Sequence, residues 1–407
     1  MTAAGYQPTS LNEFLALARA SGLRPLQLRG RELIPVVQGG MGVGVSAGGL
    51  AGTVAQAGGI GTISSVDLRR LHPDLMEKTE HLTKVAGSKP AIDAANLEAL
   101  DREIRSARAI AKGNGMIAVN VMRALSEYEA YVKQALASGA DAIVVGAGLP
   151  LDLPELAQDH PEVALIPILS DARGVQLVVR KWMKKGRLPD AIVIEHPRLA
   201  GGHLGAARVT DLGDKRFDFD VAIPAVREFF AAEGIDIPLI AAGGISSYED
   251  IVRLQSLGAA AVQLGTAFAV TAESNAAPEF KRVLAEAKPE DMVEFVSVAG
   301  LPARAVRTPW LDKYLRIEPK LKAVAHVKGI CNMAFDCLAH CGLRDGKSEM
   351  GQFCIDKQLG HAFDGDTHKG LFFRGAGKLP FGSEIRPVRD LLERLLGRGP
   401  GSAAGAA

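Results

Sequence analysis

The sequence predicts an α/β fold: a (β/α)8 TIM barrel, with a second, smaller, mostly helical domain after the eighth strand. Three observations support this prediction. There are eight short apolar runs rich in β-branched residues, amphipathic helical patterns lie between them, and the alternation stops after about residue 270. Such alternation predicts repeated βα units and a parallel sheet. Eight units in roughly 250 residues match the size of a closed barrel.

The eight runs are continuously apolar, which is typical of strands buried on both faces of a sheet. Helices are predicted over 126–139, 175–186 and 247–258, and the last has Ser and Gly at its ends, as helix caps require. A long polar connection, 67–115, is expected to carry extra helices. The predicted strands are 33–39, 59–64, 116–122, 142–148, 164–170, 191–196, 237–244 and 261–267.

These patterns divide the chain into four predicted parts. The barrel occupies 24–270 and the second domain 271–385. A helix over 386–397 is expected to return to the barrel. The Gly- and Ala-rich tail, 398–407, has the composition of a disordered segment.

The composition is that of an ordinary globular protein, with 47% hydrophobic and 23% charged residues and a formal net charge of +1. This balance gives no electrostatic reason to expect nucleic acid or an anionic membrane as a partner. No basic segment precedes the first apolar residues, so no signal peptide is predicted and a cytoplasmic location is expected.

A membrane span was weighed for residues 33–66, which contain no charged residue and exceed the length of a spanning helix. The stretch contains Pro35 and ten glycines, several of them paired. Glycine destabilises a helix interior and suits turns. We therefore interpret the stretch as a strand, a Gly-rich loop, a helix of small residues and a second strand.

Two Gly-rich turns follow the seventh and eighth predicted strands, at AAGGISS (241–247) and LGTAF (264–268). In a barrel these turns are neighbours at the carboxyl ends of the strands, where backbone N–H groups and a short helix can bind phosphate. We expect Gly243, Gly244, Gly265 and Thr266 around a phosphate. The alternative is two tight turns without a ligand.

A Rossmann domain is a competing interpretation. Residues 42–47 match G-x-G-x-x-A after a strand, and Asp67 lies downstream in the position of a ribose-binding acid. That motif is weak in a segment with so many glycines. The eight regular units and the late phosphate turns favour the barrel.

The sixth predicted strand runs into EHPRLAGGHLG, where Gly201 and Gly202 would let the backbone approach a flat ligand and present His203. A histidine at a strand's carboxyl end can act as a general acid or base near neutral pH. The alternative is a structural loop histidine. Asn120, in the third strand, would either hydrogen-bond a cofactor or cap a loop.

Together, PVVQGGMG, the strand with Asn120, AGGH, AAGGI and LGTAF resemble the nitronate monooxygenases, a family of FMN-dependent TIM-barrel flavoproteins. The resemblance covers roughly residues 30–310. It implies FMN as cofactor, a small-molecule substrate, and O2 or another electron acceptor. It also implies that a nitronate reduces the flavin and that His203 is the base for a neutral nitroalkane. The implied FMN-binding residues are Gly40, Met41, Asn120, Glu195, Gly201, Gly202, Gly243, Gly244, Gly265 and Thr266.

Two departures from the family pattern leave the substrate open. His196 lies seven positions before His203, where the family commonly has an acid, and Glu195 lies eight before. Asp171 and Arg173 stand where many members carry a lysine that faces the flavin. The alternatives are an NAD(P)H-dependent quinone or enoyl reductase on the same barrel, or a flavin/iron–sulfur electron-transfer component. A homo-oligomer is left open.

All four cysteines lie within 24 residues, with the spacing C-x5-C-x3-C-x12-C. A disulfide framework is unexpected in a large chain without a secretion signal. An iron–sulfur cluster is the leading interpretation, since three close cysteines and a distant fourth can wrap a cluster. Zinc and unrelated buried thiols are the alternatives. The candidate metal ligands are Cys331, Cys337, Cys341 and Cys354.

Overall fold

Eight parallel strands close into a barrel in the computed structural model, which describes residues 11–326, 331, 333 and 336–398. The strands follow chain order around the barrel, and the last of them, Ala261–Leu264, pairs with the first, Val36–Gln38. The predicted (β/α)8 fold is confirmed. Most of the predicted tail, 399–407, lies outside the described residues.

The strands of the described chain are β1 (Leu26–Leu28), β2 (Arg31–Leu33), β3 (Val36–Gln38), β4 (Ile60–Ser64), β5 (Met116–Met122), β6 (Ala142–Gly146), β7 (Ala164–Leu169), β8 (Ile192–Glu195), β9 (Gly202–His203), β10 (Leu239–Ala242), β11 (Ala261–Leu264), β12 (Met292–Val296) and β13 (Pro302–Val306). The barrel consists of β3 to β8, β10 and β11.

The α-helices are α1 (Leu11–Ala20), α2 (Gly48–Gln56), α3 (Pro73–Thr79), α4 (Lys89–Ala111), α5 (Tyr128–Ala137), α6 (Leu153–Leu156), α7 (Ala172–Met183), α8 (Phe219–Glu233), α9 (Tyr248–Leu257), α10 (Thr266–Ala269), α11 (Pro278–Glu286), α12 (Pro309–Ala323), α13 (Gly342–Asp345), α14 (Ile355–Phe363) and α15 (Val388–Leu395). As expected, the connection 67–115 carries extra helices, α3 and α4.

Helix α7 begins three residues earlier than the predicted 175–186. The Asp171 side chain accepts a hydrogen bond from the Gly174 N–H at 2.8 Å, so it caps the helix before its first apolar residue. A capping carboxylate satisfies one of the N–H groups that a helix start leaves unpaired. The apolar pattern alone could not show this extra turn.

The barrel interior is filled by one cluster of apolar side chains from inward-facing positions, among them Val37, Ile60 and Val193. The antiparallel hairpin of β1 and β2 lies before the first barrel strand, and its Leu26, Leu28 and Leu33 belong to the same cluster. Inward positions alternate along each strand. The next inward positions toward the carboxyl ends therefore lie at the barrel mouth.

A three-stranded antiparallel sheet joins the barrel to the second domain. Strands β12 and β13 form a hairpin, and β13 also pairs with β9, which belongs to the loop after the sixth barrel strand. The sequence analysis assigned no strands after residue 270. The alternating polarity of MVEFV, followed by a Gly-containing turn, was the signal that could have predicted the hairpin.

The final helix, α15, contacts α1, α9 and α10 on the outside of the barrel. Within the described residues, no helix combines the length and apolar character needed to cross a membrane. The uncharged stretch 33–66 instead contains β3, α2 and β4, as interpreted from its glycines and proline.

Gly61 provides a test of the packing between α2 and β4. A Cβ at Gly61 would overlap the Ala51 carbonyl oxygen, which belongs to the backbone of α2. We expect Gly61→Ala to lower the free energy of unfolding by about 1–3 kcal/mol or more through overpacking, measured as a lower urea midpoint. Gly213→Ala is the control, because a Cβ there meets no atom within 4 Å. Equal midpoints for the two variants would contradict this packing.

Candidate active site

A cavity of about 310 Å³ lies at the carboxyl ends of the barrel strands, between the barrel mouth and the second domain. This volume is in the range of small-molecule sites. The sequence-predicted residues from the barrel and its loops all border this cavity: Gly40, Met41, Asn120, Glu195, Gly201, Gly202, His203, Gly243, Gly244, Gly265 and Thr266.

The barrel mouth forms the floor of the cavity. Its side chains continue the inward-facing positions of the barrel interior and include Asn120, Ile168, Glu195 and Gln263. Gly40 lies directly against Asn120, because a Cβ at Gly40 would overlap the Asn120 Cβ. The chain after β3 therefore crosses the mouth at close range, which leaves room above it for a flat ligand.

Glu195 is the acidic side chain of the floor. It is the last residue of β8, its Cα is paired with Ala242, and it has no hydrogen-bond or ion-pair partner among the described residues. A Cβ at Gly205 would overlap Ser170 Oγ and lie 3.6 Å from Glu195 Oε2, so the loop after β8 covers this carboxyl closely. Burial raises the pKa of Glu195 to about 7, opposed by the positive charge of Arg304.

The roof of the cavity carries His203. It lies in β9, opposite Ala303 of β13, and its ring centroid is 5.6 Å from that of Phe373. The second domain thus supplies both β13, which pairs with the strand that contains His203, and the Phe373 ring, which packs against His203. Floor and roof face each other across the space where a flat cofactor and a substrate could stack.

One hydrogen bond orients the His203 ring. Nε2 lies 3.0 Å from Oγ of the fully buried Ser297, whose Oγ also accepts a hydrogen bond from the Ala299 N–H. The Ser297 hydroxyl can donate to Nε2 or accept from it, so it suits either tautomer of a neutral imidazole. Nδ1 has no partner in the described chain and is the nitrogen left for a ligand.

The two Gly-rich turns, 241–247 and 264–268, contact a segment of the second domain. The Gly375 N–H donates to Thr266 Oγ1 at 3.0 Å, and a Cβ at Gly377 would lie 3.0 Å from the Gly244 Cα. Gly243 and Gly244 have φ of +109° and +74°, a region that favours glycine. Lys378 follows in the cavity wall and has no ion-pair partner among the described residues, so its ammonium group is available to an anion.

Two expectations about charge near the ligand were wrong. Asp171 and Arg173 do not border the cavity. Asp171 caps α7 and forms an ion pair with Arg216 at 3.5 Å, while Arg173 is exposed. A carboxylate that follows a strand is used here by the next helix, because the helix start leaves N–H groups to satisfy.

His196 and Asp67 also lie outside the cavity lining. His196 Nε2 is 3.2 Å from Asp218, and burial lowers the pKa of His196. Asp67 binds the buried guanidinium of Arg69 at 2.8 Å. The closed barrel and this ion pair exclude the Rossmann interpretation.

The cysteine segment is attached to the loop after β5. The Ala339 N–H donates to the Ala124 carbonyl at 2.9 Å, and Cys337 borders the cavity. All four cysteines are free thiols, and among the described residues no three His, Cys, Asp or Glu side chains are placed to hold a metal ion. The iron–sulfur interpretation therefore finds no assembled site in the described chain.

The thiols nevertheless share one neighbourhood. Burial raises the pKa of Cys337, and the nearby charges of Asp356 and the other three cysteines raise it further. Burial likewise raises the pKa of Cys354 to about 11, with a contribution from Cys331. Buried thiols of this kind stay protonated and inert at neutral pH unless a cation compensates their thiolates.

A sequence model of a protein family, described as nitronate monooxygenase, matches residues 31–397 of the chain. This match decides the family. The chain belongs to the nitronate monooxygenase family. It is an FMN-dependent oxidoreductase, as the sequence resemblance implied. The match includes the second domain, so the roof belongs to the family region as much as the barrel does.

Of two similar relatives, one carries the name of this family and the other is named for a dehydrogenase reaction. A probable nitronate monooxygenase of Bacillus subtilis is 26% identical over 288 residues, 70% of this chain and 79% of its own. A 5-hydroxy-7a-methyl-1-oxo-octahydro-1H-indene-4-carboxyl-CoA dehydrogenase of Mycobacterium tuberculosis is 28% identical over 279 residues, 69% of this chain and 64% of its own.

Among solved structures, FabK from Thermotoga maritima has a TM-score of 0.61 at 24% identity and covers 89% of this chain and 91% of its own. A nitroalkane oxidase from Streptomyces ansochromogenes has a TM-score of 0.61 at 20% identity, covering 93% and 96%. Both likenesses establish the fold.

Sequence reasoning missed the site residues that come from the second domain. Ser297, Phe373 and Lys378 had no motif to mark them, because their role depends on how the second domain folds over the barrel. Ile168 and Gln263 could have been found from the strand pattern, as inward positions at the ends of their strands. These five residues belong to the floor, to the roof and to the neighbourhood of the two Gly-rich turns.

The His203 ring should be neutral at physiological pH. Burial lowers the pKa of His203 to about 4 because a charged imidazolium loses solvation in the cavity. We expect its ring NMR resonances to stay constant from pH 8 to about 5.5 and to shift only below that range. The same spectra of His203→Gln are the control, because they identify which resonances belong to the His203 ring. A titration midpoint for His203 above pH 6 would contradict the burial of its ring.

Proposed function

We propose that the chain oxidises alkyl nitronates, with FMN stacked on the floor of the cavity and His203 as the acid/base group on the roof. The observation that carries the proposal is the opposition of His203 to the open floor across one cavity. Bound FMN would supply the two-electron redox chemistry, with O2 as the electron acceptor. Gly243, Gly244, Gly265 and Thr266 would hold its phosphate, with Lys378 of the cavity wall as a cation that could approach it.

The substrate would lie between the floor and His203. A nitronate is already an anion, and a neutral imidazole can donate a hydrogen bond from Nδ1 to one of its oxygens. A neutral nitroalkane must first lose its α-proton, and Nδ1 can accept that proton when Nε2–H donates to Ser297. Phe373 and the apolar residues of the wall exclude water from the reacting atoms, which strengthens these hydrogen bonds.

Replacing His203 tests whether it acts as a base for neutral nitroalkanes and only as a hydrogen-bond donor for nitronates. In His203→Gln, we expect kcat/KM for a neutral nitroalkane to fall about 10²–10⁴-fold, the usual contribution of a general base. We expect a smaller loss for the preformed nitronate, which needs no proton removed. The control is His160→Gln, at a half-buried histidine outside the cavity. Both rates are followed by nitrite release.

Equal losses for the two substrates would give His203 a role in positioning the substrate and remove its role as base. A wild-type protein that oxidises neither substrate would overturn the nitronate proposal. Bleaching of its flavin by NAD(P)H would then favour the second candidate, a reductase or dehydrogenase of a compound whose reacting carbonyl end is uncharged, such as the acyl group of a CoA thioester.

One observation favours that second candidate. The floor carries one acid and two amides, and among the described residues that form it there is no cation to balance an anionic substrate. A negative charge placed near Glu195 is disfavoured whenever that carboxyl is ionised. The CoA-ester dehydrogenase among the relatives is a chemical precedent within this set of sequences.

We further propose that the four cysteines hold an iron–sulfur cluster beside the flavin. Support comes from their spacing, from the shared neighbourhood of the thiols, and from Cys337, which borders the cavity. Iron would supply the positive charge that four thiolates require. Cys331, Cys337, Cys341 and Cys354 would be the ligands, and the free thiols fit a reducing cytoplasmic location.

The protein purified without oxygen tests this cofactor. We expect iron and acid-labile sulfide in fixed ratio to flavin, with a broad absorbance beneath the flavin bands that dithionite bleaches. In Cys341→Ser the iron should be lost while flavin is retained. A clean flavin spectrum without iron would leave the cysteines as structural thiols, and zinc in the metal analysis would identify a different site.

A further inference from the structure

Glu195 is the one carboxyl on the described floor of the cavity, and the reaction proposed above does not use it. Its position follows from the strand: Val193 lies in the barrel interior and Glu195 is the next inward residue. It therefore points toward the mouth, where the flat part of the cofactor would lie. His203 faces the same space from the opposite side.

The surroundings of Glu195 do not neutralise its charge. Directly after β7 the neighbour is Ser170, on β10 it is Ala242, and the covering loop contributes Gly205. The nearest positive charge is Arg304 of β13. Its guanidinium already pairs with Glu294 and donates to two backbone carbonyls, so its charge is largely compensated.

The other charged groups facing the cavity have different partners or positions. Arg374 donates to the Leu284 and Gly375 carbonyls, and Lys378 lies at the phosphate turns. Asp356 borders the cavity beside the cysteine segment, where it pairs with Arg70. His203 is neutral near physiological pH. Added negative charge on the cofactor would thus be felt by Glu195 without a counter-charge on the floor.

We propose that Glu195 is a redox-linked proton acceptor: its carboxylate takes one proton from water when electrons enter the cofactor above it, and releases that proton on reoxidation. The inference rests on the proposed function, because it needs FMN on the floor. At Glu195 itself only the carboxyl O–H bond forms on reduction and breaks on reoxidation; the proton comes from solvent and returns to it, while the substrate supplies the electrons and the electron acceptor removes them. Proton uptake removes the charge repulsion that reduction would otherwise create.

The physical basis is linkage between charge and proton binding. Burial already favours the protonated carboxyl near pH 7. A further negative charge nearby raises the pKa of the same group, so between about pH 7 and that raised pKa the reduced protein binds up to one more proton than the oxidised protein. The midpoint potential must then fall more steeply with pH than it does without this group.

A redox titration of the purified holoenzyme from pH 5.5 to 9 tests the proposal. Above about pH 7 we expect the wild-type midpoint potential to fall about 30 mV per pH unit more steeply than that of Glu195→Gln, the two-electron equivalent of a tenfold change. Asp171→Asn is the matched control. Asp171 follows the neighbouring barrel strand but binds its own helix, so this variant should keep the wild-type slope.

Infrared difference spectra of the wild-type protein give a second readout that does not depend on a variant. Reduction at pH 8 should produce a protonated-carboxyl C=O band that shifts in D2O and is absent from Glu195→Gln. Equal potential slopes in wild type and Glu195→Gln, or no such band in the wild type, would overturn the proposal. A wild-type protein without FMN would instead overturn the proposed function on which it rests.

Discussion

The buried guanidinium of Arg304 is the interaction on which the arrangement of the site depends. It comes from β13, in the second domain, and donates to the carbonyl oxygens of Pro197 and Ala200, in the loop after the sixth barrel strand. A buried arginine is stable only when its donors are paired. The need to satisfy this one group therefore fixes the loop that leads to His203. It also fixes the second domain relative to the barrel mouth.

The site is assembled from two layers with different origins. The floor is the last ring of side chains inside the barrel, so its residues follow from the period of two along each strand. The roof is a small sheet in which the barrel loop contributes only β9 and the second domain contributes the rest. The proposed acid/base group and the proposed cofactor contacts thereby belong to different layers of one cavity.

The sequence was informative wherever local pattern determines structure. The eight strands, the helix from Ser247 to Gly258, the phosphate turns and the AGGH segment all have signals within a few residues. Prediction failed at Asp171 for a local reason: the helix was predicted to begin at residue 175, which hid the use of this carboxylate as a cap for the Gly174 N–H. Elsewhere prediction failed where a partner distant in the chain decides. Ser297 and Phe373 could not be assigned because their neighbour, His203, is more than ninety residues away in the chain. The cysteines are an intermediate case, in which the spacing is clear and the described structure brings the thiols near one another without closing a site.

The hairpin of β1 and β2 affects the route by which protons and small molecules reach the floor of the cavity. Its leucines join the apolar side chains that fill the barrel from the amino ends of the strands to the residues beneath Glu195. A dry column of this kind offers no chain of hydrogen-bonding groups along which a proton could hop. Everything that reaches the floor must therefore enter from above, through the seam between the barrel loops and the second domain. The same opening would then admit substrate, electron acceptor and protons, so a substrate held in it would also separate the floor from bulk water.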